Sequence, residues 1–114
     1  KVGIGYCDEI DAFTSGRKAA RMALGKARIE KAGMALAFCT GQVDHDKYFK
    51  GLQSVFGDDL PIVGGSAVGI ITNDYLSYDG PACGVAAIQD DGWQIRTAAA
   101  GGVDKDEKQA GRRR

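Results

Sequence analysis

The residues most able to do chemistry in this chain sit in glycine-rich stretches, and each stretch can be tested against a catalytic or cofactor pattern. Gly3-Ile4-Gly5-Tyr6-Cys7-Asp8 begins like the dinucleotide fingerprint G-x-G-x-x-G, but Asp8 stands at the third glycine. An acid there would repel the pyrophosphate that the motif exists to hold. Gly64-Gly65-Ser66-Ala67-Val68-Gly69 has P-loop spacing between its outer glycines. The following residues are Ile70 and Ile71 where Lys and Ser or Thr are required, so no cation reaches a phosphate. The same stretch nearly matches the nucleophile elbow G-x-S-x-G, with Val68 where the last glycine belongs. The sole histidine, His45, would have to come from a different loop to serve Ser66 as a base.

His45 lies between Asp44 and Asp46 at the start of a helical pattern and reads as a surface residue rather than a metal ligand. Cys7 and Cys39 both end expected strands, which allows them to lie close together. They read either as small apolar fillers of a tight core or as reactive thiols, and no Lys, Arg or His flanks either one. Cys83 brings the total to three, an odd number at wide spacings, so neither a disulfide framework nor a zinc pattern appears. Reduced thiols and a cytoplasmic location are expected.

These residues need a scaffold. A chain of 114 residues with 44% hydrophobic and 26% charged side chains has the length and composition of one globular domain. Fifteen basic and fifteen acidic residues cancel, so nothing points to nucleic acid or an anionic membrane surface. The one basic run, Arg112-Arg113-Arg114, fits a terminal helix better than a binding patch. No apolar run approaches the ~20 residues of a membrane helix, and no signal-peptide pattern opens the sequence.

Apolar runs at Val2–Tyr6, Met34–Cys39 and Leu60–Gly64 read as strands. Between them, Ala19, Ala20, Ala23, Leu24 and Ala27 recur at helical spacing, giving a helix to about Ile29 with Asp11, Thr14 or Ser15 as N-cap and Gly33 as a stop signal beyond it. Tyr48, Phe49, Leu52, Val55 and Phe56 form a second stripe, capped by Asp44 and read as core. The expected fold is α/β: a βαβαβ parallel core followed by antiparallel strands, giving a mixed sheet with helices packed on it in a single domain. Ile70–Thr72, Ala82–Gln89 and Trp93–Ala98 read as the later strands, the last two joined as a hairpin through Asp90-Asp91-Gly92. Asn73–Gly80 reads as a polar-aromatic loop, and a C-terminal helix is expected from near Asp104, cut short by the chain end.

In open parallel sheets, ligands bind beyond the carboxyl ends of the strands. The residues expected there are Cys7, Thr40, Gly64, Gly65, Ser66 and Ala67, which offer hydroxyls and backbone N–H groups to a small polar ligand. The competing reading is that the glycines only make tight turns.

Taken in order, the segments Val2–Cys7, Gly16–Leu24, Leu36–Thr40, Tyr48–Leu52 and above all Pro61-Ile62-Val63-Gly64-Gly65-Ser66-Ala67-Val68-Gly69-Ile70 resemble the N-terminal part of the FIST domain, a sensory module of bacterial and archaeal signal-transduction proteins. The chain departs from that pattern at Gly65, where cysteine is common, and at Ile70, where Glu is common. The resemblance implies a non-catalytic sensor of a small ligand such as an amino acid or small carboxylate, without a cofactor. It also implies a companion C-terminal FIST domain or an output module as partner, with a homo-oligomer as a further expectation. Two alternatives stand beside it: a hydrolase or thiol enzyme using Ser66 or Cys7, and a stand-alone interaction or oligomerisation domain.

Overall fold

Two aspartates start the two long helices. Asp11 accepts a hydrogen bond from the Thr14 backbone N–H and opens α1 (Ala12–Ala27), while Asp44 does the same for Lys47 and opens α2 (His45–Phe56). The first helix ends close to the expected Ile29. Arg28 takes the left-handed conformation at φ 54°, and the N–H groups of Arg28 and Ile29 return to the carbonyls of Gly25 and Leu24. This paired closure satisfies two orphan carbonyls, and the buried Ile29 side chain secures it.

The computed structural model describes residues 1–112. Its remaining elements are β1 (Val2–Cys7), β2 (Met34–Thr40), β3 (Ile62–Ala67), β4 (Ile70–Ile71), β5 (Leu76–Ser77), β6 (Cys83–Ile88) and α3 (Glu107–Arg112). The last helix is capped by Asp106, which accepts from Gln109 N–H, rather than by Asp104. Arg113 and Arg114 lie outside the described residues.

The fold is α/β with a mixed sheet, in the order β1-β6-β2-β3. β2 and β3 pair in parallel, and β6 is antiparallel to both β1 and β2. The three early strands therefore run in one direction, but β1 does not touch β2, because β6 is inserted between them. That insertion also corrects the expected hairpin. Asp90-Asp91-Gly92 does form a turn, with Gly92 N–H donating to Asp90 Oδ1 at 2.9 Å, yet residues 93–98 form no strand. Both edges of β6 are already filled by β1 and β2, so a following strand cannot pair with β6 as a hairpin requires. The loop after β4 is more ordered than expected: β5 pairs with β4, and Tyr75 stacks on Tyr6 at a centroid distance of 4.3 Å.

Both long helices cover one face of the sheet. Ala19, Ala20 and Ala23 of α1 are fully buried there, and a Cβ on Gly5 would collide with the Ala19 carbonyl oxygen. The helix thus lies directly on the backbone of β1. α1 and α2 cross through Gly16 and Gly51, each set against the other helix's backbone. The core beneath them is made of Ala35, Ala37, Cys39, Cys83, Val85, Ala87, Tyr48 and Leu52. The opposite face carries Ile4, Leu36, Phe38 and Ala86; among the described residues no helix lies over it, and Ile70 of β4 packs on it at Gly84.

Candidate functional site

β2 and β3 bring most of the strand-end residues together. The parallel register sets Ala37 beside Gly64, Phe38 beside Gly65, Cys39 beside Ser66 and Thr40 beside Ala67. A Cβ on Gly64 would strike the Ala37 carbonyl oxygen, so glycine is needed for β3 to lie this close to β2. Gly65 has open space around it. Ser66 is exposed at the free edge of the sheet.

Two of the expected site residues have other duties. Thr40 is buried, and its hydroxyl donates to the Gly80 carbonyl at 2.7 Å, so it ties down the segment before β6. Cys7 lies on β1, three strand spacings from Ser66 or roughly 14 Å. Ala67 is half-buried and packs on a small second core of Tyr6, Ile70 and Ala82. Ile70 itself is only 7% exposed and rests on Gly84, so it is a packing residue here.

The groove that the glycines do line runs between α2 and β3. Its volume is about 280 Å³, and its walls include Cys39, His45, Asp46, Phe49, Gly64 and Gly65. Phe49 is 43% exposed, which corrects its assignment to the core: the stripe from Tyr48 to Phe56 is wide, and Phe49 turns outward over the groove while Tyr48 and Leu52 are buried. His45 Nδ1 lies 2.9 Å from the Val43 carbonyl oxygen. A carbonyl only accepts, so Nδ1 carries the proton, and in the neutral form of the ring this leaves Nε2 as the acceptor. Asp46 adds a second acceptor beside it. The rim of the groove therefore suits a donor or cation, and its interior an apolar group. The proximity of His45 and Asp46 to Gly64 was not legible in the sequence; the only available signal was that α2 begins directly after the β2 strand-end loop.

The three cysteines form a second grouping. β1, β6 and β2 place Cys7, Cys83 and Cys39 directly opposite one another in one row across the sheet, and Ser66 of β3 continues the row in backbone register. The expected neighbourhood of Cys7 and Cys39 is thus real but bridged by Cys83. Cys39 and Cys83 are buried, and Cys7 is half-buried. Burial pushes the Cys83 thiol up to about 11 and raises Cys39 for the same reason. Tyr48 lies over the row, donates its hydroxyl to the Gly84 carbonyl at 2.8 Å, and is held protonated above its ordinary range, chiefly by burial. Ser15 from α1 is fully buried; its hydroxyl opposes the rise of the Cys83 thiol, and its Oγ has no partner in good hydrogen-bond geometry. Among the described residues, no three His, Cys, Asp or Glu side chains converge as metal ligands. Among the same residues, no helix is long and apolar enough to cross a membrane.

A protein-family profile described as the FIST N domain matches residues 33–114. The match begins just before β2 and contains the whole of β3 and the Gly64–Ala67 segment. No curated protein matches the chain.

Proposed function

The chain belongs to the FIST N domain family, the sensory domains of signal-transduction proteins, and from that premise we propose that it binds a small ligand in the groove between α2 and β3. The observation that carries this reading is the pairing of a floor without side chains, at Gly64 and Gly65, with the His45–Asp46 rim. An amino acid fits it better than a bare carboxylate. Its ammonium group would meet Asp46 and His45 Nε2, its side chain would lie against Phe49, and its carboxylate would reach the exposed Ser66 hydroxyl. A carboxylate without the ammonium group would face Asp46 unfavourably. The ligand-bound state would then be passed to a companion C-terminal FIST domain or an output module, for which the uncovered sheet face offers an apolar surface.

The test is a thermal-shift panel of amino acids beside the matching amines and deaminated carboxylates. An amino acid should raise Tm where neither half-molecule does. Asp46→Asn should weaken that ligand by about tenfold or more, the worth of a charge-assisted hydrogen bond. No shift with any amino acid at millimolar concentration would end this reading.

A further inference from the structure

The cysteine row supports a function separate from the groove. Thr40 N–H donates to the Ala82 carbonyl at 3.0 Å, making Thr40–Ala82 a hydrogen-bonded pair of the antiparallel ladder. Paired positions alternate in type, so the adjacent Cys39–Cys83 pair is non-hydrogen-bonded, with Cα atoms about 4.5 Å apart. On the other side, Lys1 and Gln89 exchange both backbone hydrogen bonds, which makes Cys7–Cys83 a hydrogen-bonded pair with Cα atoms about 5.5 Å apart. Both separations lie within the range a disulfide spans. The closer side chains belong to Cys39–Cys83, and Cys83 is the one thiol that neighbours both others. Access is unequal: only Cys7 is partly open to solvent, at the end of β1.

We propose that the row is a thiol relay, in which a peroxide oxidises Cys7 and the oxidation is passed inward to leave a cross-strand disulfide between Cys39 and Cys83. The Cys7 thiolate attacks a peroxide oxygen, the O–O bond breaks, and a sulfenic acid and one water (or alcohol) result. The Cys83 sulfur attacks the Cys7 sulfur and displaces hydroxide, which leaves as a second water with the Cys83 proton. Cys39 then attacks the Cys83 sulfur and expels Cys7, which takes up the Cys39 proton. The sum is one peroxide reduced and two thiols oxidised to one disulfide, with Cys7 regenerated. The straight order Cys39, Cys83, Cys7 sets the last step as an in-line displacement at the central sulfur. The product fastens β2 to β6 beneath the helices, next to the Cys39 wall of the groove.

The experiment treats the full chain with hydrogen peroxide, then counts free thiols under denaturing conditions and maps the bridge by mass spectrometry. Wild type should lose two hydrogens in mass, keep one free thiol at Cys7, and yield a Cys39–Cys83 linked peptide. Cys7→Ser should slow this by about tenfold or more, as only buried thiols remain. Cys83→Ala should halt at a Cys7 sulfenic acid that a cyclic dione traps. Should that variant fail to fold, Cys39→Ser reads the same relay by stopping at a Cys7–Cys83 bridge. Three free thiols after treatment, a bridge only between chains, a wild-type bridge at any other pair, or an undiminished rate in Cys7→Ser would each overturn the proposal.

Discussion

The two faces of the sheet are built from the same strands and behave as opposites. On the covered face, Gly5, Ala35, Ala37, Cys83 and Ala87 are all small, and the helices approach until Ala19 of α1 meets the backbone of β1. On the open face, Ile4, Leu36 and Phe38 are large and only partly buried, with Phe38 43% exposed. Size therefore does not indicate burial in this protein. Small side chains mark the tight interface, because helix backbone can reach sheet backbone only where no side chain intervenes. Large ones mark the opposite face, where Ile70 and Tyr75 cover Tyr6 and Gly84 but leave Ile4, Leu36 and Phe38 partly open, an apolar surface that is a candidate interaction surface.

The sharpest way to break this comparison is to add bulk to the covered face. Gly5→Val places a side chain against the backbone of Ala19, which cannot rotate away, and should cost roughly 3 kcal/mol or more. Urea denaturation, or failure to recover soluble protein, reads it. Slightly less is expected from removing bulk in the same layer. Leu52, 1% exposed, should lose roughly 3 kcal/mol as Leu52→Ala, whereas the larger Phe38 should lose about 1 kcal/mol or less as Phe38→Ala. Equal losses at these two positions would mean that the open face is covered in solution.

A pH titration sharpens the contrast through the groups that the covered face encloses. Cys83 is raised from 9.0 to about 11, and Tyr48 is raised from 10.0, both mainly by burial. The groups facing Cys83 are Cys7 and Asp8 from β1 and its loop, Cys39 from β2, Tyr48 from α2 and the neutral Ser15 from α1. For acids raised in this way, the folded state keeps protons that the unfolded chain releases. Their contribution is complete below pH 9.0 and is lost as pH rises toward and beyond 11. Urea midpoints should therefore fall across this alkaline window, and Cys83→Ala should flatten the fall. The smallest effect lies outside both faces: Arg28→Gly relieves a left-handed residue at φ 54° and should raise stability by up to about 1 kcal/mol.

Local chemistry was legible in the sequence wherever the cause was local. Asp11 and Asp44 start the helices because a carboxylate at that position meets free N–H groups three residues on. The alternation from apolar run to helical stripe placed β1, α1, β2, α2 and β3, and the motif around Gly64-Gly65-Ser66 pointed to the matching family. The Trp93–Ala98 strand failed because the turn before it is real but its partner's edges are occupied. Phe49 was misplaced because a helical stripe gives the width of an apolar arc and not how much of it has a neighbour. The bond from the Thr40 hydroxyl to the Gly80 carbonyl, forty residues away, was not visible in the sequence.

By itself the sequence determined that this is an α/β domain with two capped helices, a family motif at β3, and no intact dinucleotide, P-loop or nucleophile-elbow motif. These follow from residue type and short-range spacing. Only the tertiary structure decided that β6 enters between β1 and β2. That single insertion separates Cys7 from the strand-end cluster, sets Cys83 between Cys7 and Cys39, and leaves the α2–β3 groove as the place where Gly64 and Gly65 meet His45. Strand order is decided by pairing between residues far apart in the chain, and those separations are too long for any local pattern to carry.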